Sequence, residues 1–169
     1  MPDVTSYARI SEDGLYRYAL GRRWGDGEPV RFVMLNPSTA DASVDDPTIR
    51  RCMSFARTWG YDAVTVLNLY ALRATQPREL WKAADPVGPD NDAYLRIAAE
   101  GGVGLTVAAW GANARMDRVE VFRRLFQQTT VHCLGTTKDG SPRHPLYVPG
   151  AHPLHVYYRP GTRTSEGRG

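Results

Sequence analysis

Two asparagines and one histidine are the residues of this sequence best placed to do chemistry. Asn36 and Asn68 each directly follow an apolar run that is typical of a buried strand. A side-chain amide both donates and accepts hydrogen bonds, so each asparagine could hold a water molecule or the edge of a base. His144 lies in a loop rich in Gly, Ser and Pro, which is a poor place for a core histidine. His144 is therefore the sharpest single candidate for a functional role.

Each of these residues also has a structural interpretation. Asn36 precedes Pro37, and Asn-Pro commonly starts a turn. Asn68 ends a run whose apolar character predicts burial, and a buried asparagine must be hydrogen-bonded. Its partner is either backbone across a loop or a ligand, and the sequence leaves both alternatives open.

A second set of residues is suited to phosphate. Gly111 opens a turn after the apolar run 105–109, where it allows close approach of the backbone to a ligand. The N–H groups that open the helix expected after this turn favour an anion, although Gly111 could equally serve tight packing of strand on helix. The predicted phosphate-binding residues are Ser38, Gly111, Asn113 and Arg143.

Carboxylates and aromatic residues complete the candidates. Asp41 could act as a general base, whereas Asp46 is better explained as the cap of a helix that begins at Pro47. The aspartates of this loop lack the spacing of metal ligands, so we expect no metal site and no cofactor. Phe55 and Tyr70 could stack on a planar base, or they could belong to the core.

The elements that position these residues alternate along the chain. Two runs around the turn at 11–14 predict an antiparallel hairpin within residues 7–24. Four further strands alternate with three helices, which predicts an α/β fold with a mostly parallel sheet and helices on both faces. Ligands of such sheets bind outside the carboxyl ends of the strands. The predicted strands are 31–35, 63–67, 105–109 and 131–134, and the predicted helices are 47–59, 91–100 and 117–127, with a short helical turn near 77–81.

Composition indicates one domain over residues 1–159, with a disordered tail over 160–169. No apolar run approaches the length of a membrane span, and the two cysteines, Cys52 and Cys133, are too few for a four-cysteine cluster. We expect a cytoplasmic protein with reduced thiols. The net charge of +3 comes almost entirely from arginine, a side chain suited to phosphate, although a biased genome composition gives the same ratio.

The chain resembles a family of small bacterial and phage proteins of unassigned function. The resemblance covers roughly residues 16–148. Its motifs are Met34-Leu35-Asn36-Pro37-Ser38-Thr39-Ala40-Asp41, Asp46-Pro47-Thr48, Asn68-Leu69-Tyr70, Trp110-Gly111 and His144-Pro145-Leu146-Tyr147.

Part of this pattern, in the same order, also resembles the uracil-DNA glycosylase superfamily. The segments that carry the resemblance are Met34-Leu35-Asn36-Pro37-Ser38, Asn68-Leu69-Tyr70-Ala71-Leu72, Gly111-Ala112-Asn113-Ala114 and His144-Pro145. The first motif of that superfamily is of the Gly-Met-Asn-Pro-Gly type, and here both glycines are replaced around Asn36. Its last motif is His-Pro-Ser, whereas here Leu146 follows Pro145. The resemblance implies a three-layer α/β/α fold and hydrolysis of the N-glycosidic bond of a flipped, sometimes modified base, with DNA as the partner. It further implies that Asn36 positions the attacking water, Asn68 reads the base and His144 stabilises the departing base anion.

Two other functions remain open at this stage. One is an enzyme that acts on free nucleosides or nucleotides, such as a hydrolase or base transferase, and the other is a module that binds a base or nucleotide without chemistry. If DNA is the partner, we expect arginines near the site to contact its phosphates. The candidates are Arg50, Arg51, Arg115, Arg118 and Arg143.

Overall fold

A seven-stranded mixed sheet organises the protein. The structure is a computed structural model and describes residues 3–38 and 40–161. The strands lie in the order β1-β2-β4-β3-β5-β6-β7 across the sheet. Along the chain the elements are β1 (Thr5–Ile10), β2 (Arg17–Arg23), β3 (Pro29–Met34), α1 (Pro47–Thr58), β4 (Ala63–Asn68), α2 (Pro77–Leu80), α3 (Asn91–Glu100), β5 (Leu105–Ala108), α4 (Met116–Leu125), β6 (Val131–Cys133), a 3₁₀ turn (Pro145–Tyr147) and β7 (His155–Tyr158).

The centre of the sheet is parallel and its two edges are antiparallel. β4, β3, β5 and β6 pair in parallel, while β2 runs antiparallel to β4 and β7 antiparallel to β6. The predicted α/β class is confirmed, but the predicted mostly parallel sheet is in fact mixed. The hairpin of β1 and β2 does not precede the sheet but extends it, because β2 pairs with the edge of β4 that β3 leaves free. The sequence analysis did not predict β7.

Helix α1 begins as its sequence predicts. The Asp46 side chain accepts a hydrogen bond from the N–H of Ile49 at 2.9 Å, and Pro47 occupies the first helical turn. This cap satisfies one of the N–H groups that every helix start leaves without a partner. Asp46 is therefore fixed at the start of α1, a position that matters for the site described below.

Two hydrophobic clusters hold the helices against the sheet. Successive residues of β3 alternate between them: Phe32 and Met34 belong to the cluster that contains α1, and Val33 belongs to the cluster that contains residues of α3 and α4. This alternation follows from the period of two in a strand. β3 is thus buried on both sides, as its uninterrupted apolar run predicts.

The remaining helices lie within one or two residues of their predicted ranges. No helix in the described ranges is both long enough and apolar enough to cross a membrane. Of the tail expected over 160–169, the part from 162 onward lies outside the described residues.

Candidate functional site

A cleft of about 610 Å³ opens at the carboxyl ends of β3, β4, β5 and β6. This volume lies within the range of small-molecule sites, roughly 300–1,000 Å³. Three residues expected to do chemistry, Asn36, Asn68 and His144, all line it. So do the four residues expected to bind phosphate, which are Ser38, Gly111, Asn113 and Arg143. The strand order explains this convergence, because parallel neighbours deliver their following loops to one edge of the sheet.

Asn68 is the most unusual residue of the cleft. It is the last residue of β4, pairs with Met34 in the sheet register, and is 0 % exposed. Neither its Oδ1 nor its Nδ2 has a hydrogen-bond partner among the described residues. Buried side-chain polar atoms nearly always have a partner, and losing one costs about 1–3 kcal/mol. Asn68 therefore offers one acceptor and two donors to whatever enters the cleft.

The side-chain amide of Asn36 is held in place by two backbone carbonyl oxygens. Its Nδ2 donates to the carbonyl oxygen of Ala74 at 2.7 Å and to that of Pro37 at 3.0 Å. These two bonds orient the side chain and leave Oδ1 without a hydrogen bond among the described residues. The arrangement suits an acceptor that holds a water molecule or a ligand hydroxyl.

His144 presents a defined tautomer to the cleft. Its Nδ1 accepts a hydrogen bond from the N–H of Leu146 at 3.1 Å, so in the neutral ring the proton lies on Nε2. Burial lowers the pKa of His144, and the carboxylate of Asp46 opposes that shift. The neutral imidazole is favoured near pH 7, and its Nε2–H can donate to a ligand.

The loop that carries His144 is anchored from two sides. Arg51 of α1 donates to the carbonyl oxygens of Pro145 at 3.2 Å and Val148 at 2.6 Å. From the other side, the N–H of Gly111 donates to the carbonyl oxygen of Pro142 at 2.8 Å. A Cβ added to Gly111, which has φ +76°, would lie 4.0 Å from the Cβ of His144. These contacts fix the position of the imidazole relative to the sheet.

The expected phosphate role of Gly111 does not fit its contacts. Its N–H is already bonded to the His144 loop, and α4 begins only at Met116, with no side-chain cap from Arg115. The turn therefore does not present a helix start directly at Gly111. Its role in the structure is to support the His144 loop.

Ser38 is tied to the start of α1. Its hydroxyl donates to Oδ2 of Asp46 at 2.5 Å, while the other carboxylate oxygen caps the helix. Both Ser38 and Asp46 line the cleft. From the sequence, Asp46 was better explained as a helix cap. The tertiary structure adds its hydrogen bond with Ser38 and its place in the cleft.

The sequence analysis missed Arg17, which also lines the cleft. It is 3 % exposed, its Nη1 donates to the carbonyl oxygen of Ala40 at 2.6 Å, and its Nε has no partner among the described residues. The available signal was a charged residue between aromatic and apolar neighbours in the predicted hairpin. Thr48, Thr137 and Tyr147 are further cleft residues that the sequence analysis did not single out.

Three predicted site residues do not line the cleft. Phe55 is 1 % exposed and packs on Trp59 in the core, with ring centroids 5.2 Å apart. Tyr70 is also buried, with its ring edge-on to Trp81. Phe55 packs in the cluster around α1 and Tyr70 in the cluster around α3 and α4, so neither ring faces the cleft. Their expected role of stacking on a base does not fit these positions.

Asp41 is the third residue that lies outside the cleft. Its carboxylate accepts hydrogen bonds from the N–H groups of Ser43 and Val44, which lower its pKa. A carboxylate stabilised in its charged form is a weaker base. Asp41 organises its own loop, and the expectation that it acts as a general base is not supported by this geometry.

The five arginines expected near phosphates fall into two groups. Arg51 anchors the His144 loop, and buried Arg118 donates to the carbonyl oxygen of Leu69, so these two have structural roles. Arg50, Arg115 and Arg143 are exposed, and of these Arg143 lines the cleft. Only the exposed group is available to a polyanion.

No group of three or more His, Cys, Asp or Glu residues within 3–38 and 40–161 is arranged to hold a metal ion. No curated protein and no solved structure matches the chain. The model of one protein family, described as a protein of unknown function (DUF1643), matches residues 17–146. That range includes both asparagines, Arg17 and His144. The chain thus belongs to the DUF1643 family, which agrees with the expected membership of a family of unassigned function.

Proposed function

We propose that the protein hydrolyses the N-glycosidic bond of a base that enters the cleft, in the manner of a DNA glycosylase. The observation that carries the proposal is Asn68, fully buried at the end of β4 with both amide heteroatoms unpartnered. A donor and an acceptor side by side match the Watson–Crick edge of a base, where the same two functions are adjacent. A base bound there would satisfy both atoms.

His144 suits the departing base in this proposal. When the glycosidic bond breaks, its electron pair moves onto the base, and negative charge develops on the ring. The Nε2–H of a neutral His144 donates to that charge, and a fixed donor of this kind is typically worth about 10²–10³ in rate. Burial of the imidazole favours the neutral form that this role requires.

Asn36 suits the attacking water. Its Nδ2 is bonded to Ala74 and Pro37, so its Oδ1 is fixed as an acceptor for a water proton. The water oxygen adds to the sugar carbon as the base leaves, and the displaced proton passes to solvent. An amide orients this water without taking its proton, so we assign Asn36 a positioning role.

The architecture supports a fold of the uracil-DNA glycosylase type. The parallel centre of the sheet, with one hydrophobic cluster around α1 and another around α3 and α4, fits a three-layer arrangement. The cleft lies outside the carboxyl ends of the strands, where such folds bind ligands. The exposed Arg143 at its edge is the arginine best placed for a DNA phosphate.

The experiment is to incubate the protein with single- and double-stranded oligonucleotides that contain uracil or 5-hydroxymethyluracil and, in parallel, with the corresponding free nucleosides. Released base is quantified by mass spectrometry, and His144→Ala is the matched inactive control. The proposal is supported if the wild-type protein releases base from DNA and the His144→Ala variant does not. Release only from free nucleosides would instead indicate a nucleoside hydrolase. Binding without any release would indicate a binding module.

The DNA partner is tested separately by binding at two salt concentrations. Affinity for DNA should fall steeply as salt rises, because each phosphate contact releases counterions. Arg143→Ala should weaken binding to all sequences alike and reduce the salt slope by about one. Arg51 is unsuitable for this comparison because it anchors the His144 loop. Absence of binding at low salt to either form of DNA excludes the DNA partner.

A further inference from the structure

Arg17 is a buried arginine that reaches the cleft without an acidic partner. It is 3 % exposed, and among the described residues its guanidinium makes one hydrogen bond, from Nη1 to Ala40. Its Nε has no partner, and no carboxylate among those residues lies within ion-pair distance of it. Buried charges are otherwise paired, because removing an ion from water is costly.

A β-bulge places Arg17 in the cleft. In the pairing of β1 with β2, Arg9 is opposite Ala19 while Ile10 is opposite Arg17, which leaves Tyr18 as an extra residue on β2. An extra residue of this kind re-aims the side chains that precede it. Arg17 therefore lines the cleft together with Leu20, which in a regular strand would face the other way from it.

The position of Arg17 relative to Asn68 defines what it can touch. Leu20 is opposite Val66 in the pairing of β2 with β4, and both line the cleft. Moving along both strands from that pair leads to Arg17 on β2 and to Asn68 on β4. Arg17 therefore lies on β2, the strand that neighbours β4, and β4 ends at Asn68, the residue proposed to read the base.

The charge of Arg17 survives its burial. Burial lowers the pKa of Arg17 to about 10, with an opposing effect of the Asp46 carboxylate, so the side chain remains a cation near pH 7. Asp46 and Asp41 lie close enough to raise the pKa of Arg17, but neither forms an ion pair with it. Among the described residues, Arg17 therefore has nearby carboxylates but none in contact.

We propose that Arg17 binds an oxoanion of the substrate, beside the base that Asn68 reads. This inference rests on the proposed function for the location of the base. A guanidinium presents parallel N–H donors that match the two oxygens of a carboxylate or a phosphate. The substrate is therefore a nucleobase derivative that carries an acidic group, either a carboxylate on the base or the phosphate of the nucleotide.

The test compares charged ligands with their neutral parents by calorimetry. One pair is 5-carboxyuracil and uracil, and the other is uridine 5′-monophosphate and uridine. The wild-type protein should bind the charged member of one pair roughly 10- to 100-fold more tightly, the range expected for a hydrogen bond to a charged group. The pair that shows the preference identifies the source of the oxoanion. Arg17→Met should abolish the preference by weakening the binding of the charged member of the pair.

Two further variants control for folding. Arg17→Lys retains the positive charge but loses the parallel N–H donors of the guanidinium. It should therefore retain only part of the preference. Arg22→Met is the matched control, because Arg22 is equally buried on β2 but all of its guanidinium nitrogens have partners, including Asp45 at 2.9 Å. It should lower the melting temperature without changing the ratio of affinities.

The result that overturns the inference is a preference for charged ligands that survives in Arg17→Met, or no preference in the wild type for either pair. The measurement needs no turnover, so its outcome is independent of the base-release assay. A protein that prefers an anion through Arg17 but releases no base would refute the proposed reaction and retain this inference. Base release with no preference for an anion would support the proposed reaction and refute the proposed role of Arg17.

Discussion

Two buried asparagine–arginine pairs flank the end of β4, and they differ in how their polar atoms are satisfied. Behind the strand, Asn91 donates from Nδ2 to the carbonyl oxygens of Asn68 and Leu69, and Arg118 donates from Nε to Leu69 at 2.8 Å. In the cleft, the side chain of Asn68 has no partner, and Arg17 has one hydrogen bond. The same residue types therefore stabilise the fold in one place and have polar atoms without protein partners in the other.

The difference teaches that burial of a polar residue is not by itself a sign of function. Arg118 is as buried as Arg17, but it also forms an ion pair with Asp92 at 2.5 Å. Asn91 retains one unpartnered atom, Oδ1, yet both of its donated bonds hold the loop after β4. The informative observation is a buried polar group that lines the cleft and lacks hydrogen-bond partners in the protein.

The largest effect is expected at His144. His144→Ala should lower the rate of base release by about 10²–10³-fold and change ligand affinity little, because in the proposed reaction the imidazole acts on charge that develops only as the bond breaks. Single-turnover rates and calorimetric affinities for the same ligand separate the two quantities. Equal losses in rate and affinity would make His144 a binding residue, and unchanged activity would remove it from the mechanism.

Substitution of Arg118 and substitution of Arg17 should change the free energy of unfolding by different amounts. Arg118→Met should lower the free energy of unfolding by about 2–4 kcal/mol, because it removes two hydrogen bonds, one of them to a carboxylate. Arg17→Met should cost less, because it removes a single hydrogen bond together with an unpaired buried charge. Urea unfolding of both variants measures the difference. An equal loss at both positions would contradict the distinction between the pairs.

A smaller effect is expected for the two asparagines. Asn91→Leu should lower the free energy of unfolding by about 1–2 kcal/mol, since its two donated bonds are lost. Asn68→Leu should leave stability unchanged or raise it, because it removes two unpartnered buried atoms while retaining the volume. It should also abolish ligand binding. If Asn68→Leu destabilises the protein as much as Asn91→Leu, the cleft asparagine has a structural role.

The smallest expected effect is that of pH on base release. Because burial lowers the pKa of His144 below its ordinary value of 6.5, more than half of the imidazole is neutral at every pH between 6.5 and 8. The rate should change by less than about twofold in that window and fall only at more acidic pH, as the ring becomes protonated. A pH–rate profile of the wild type tests this. A rate that rises as pH decreases through 6.5 would show that the charged ring is the active form.

The sequence by itself determined most of the elements, though not β7, and the edge of the sheet at which the site lies. Asp46-Pro47 fixed the start of α1, because capping and the backbone of proline are local properties. The apolar runs before Asn36 and Asn68 fixed two strand ends, and parallel pairing then brought both residues to one cleft. These inferences needed only short-range preferences and the rule that parallel strands share an edge.

Only the tertiary structure decided which polar groups are free. Arg17 reaches the cleft because of a bulge, and a bulge is a property of two paired strands that neither strand shows alone. Arg51 was indistinguishable from Arg143 in the sequence, but it is bonded to the carbonyl oxygens of the His144 loop, 94 and 97 residues away along the chain. Phe55 and Tyr70 turned into the core because packing against helices, rather than residue type, sets the direction of a ring. Whether a polar group has a partner depends on long-range contacts, and the sequence does not state those contacts.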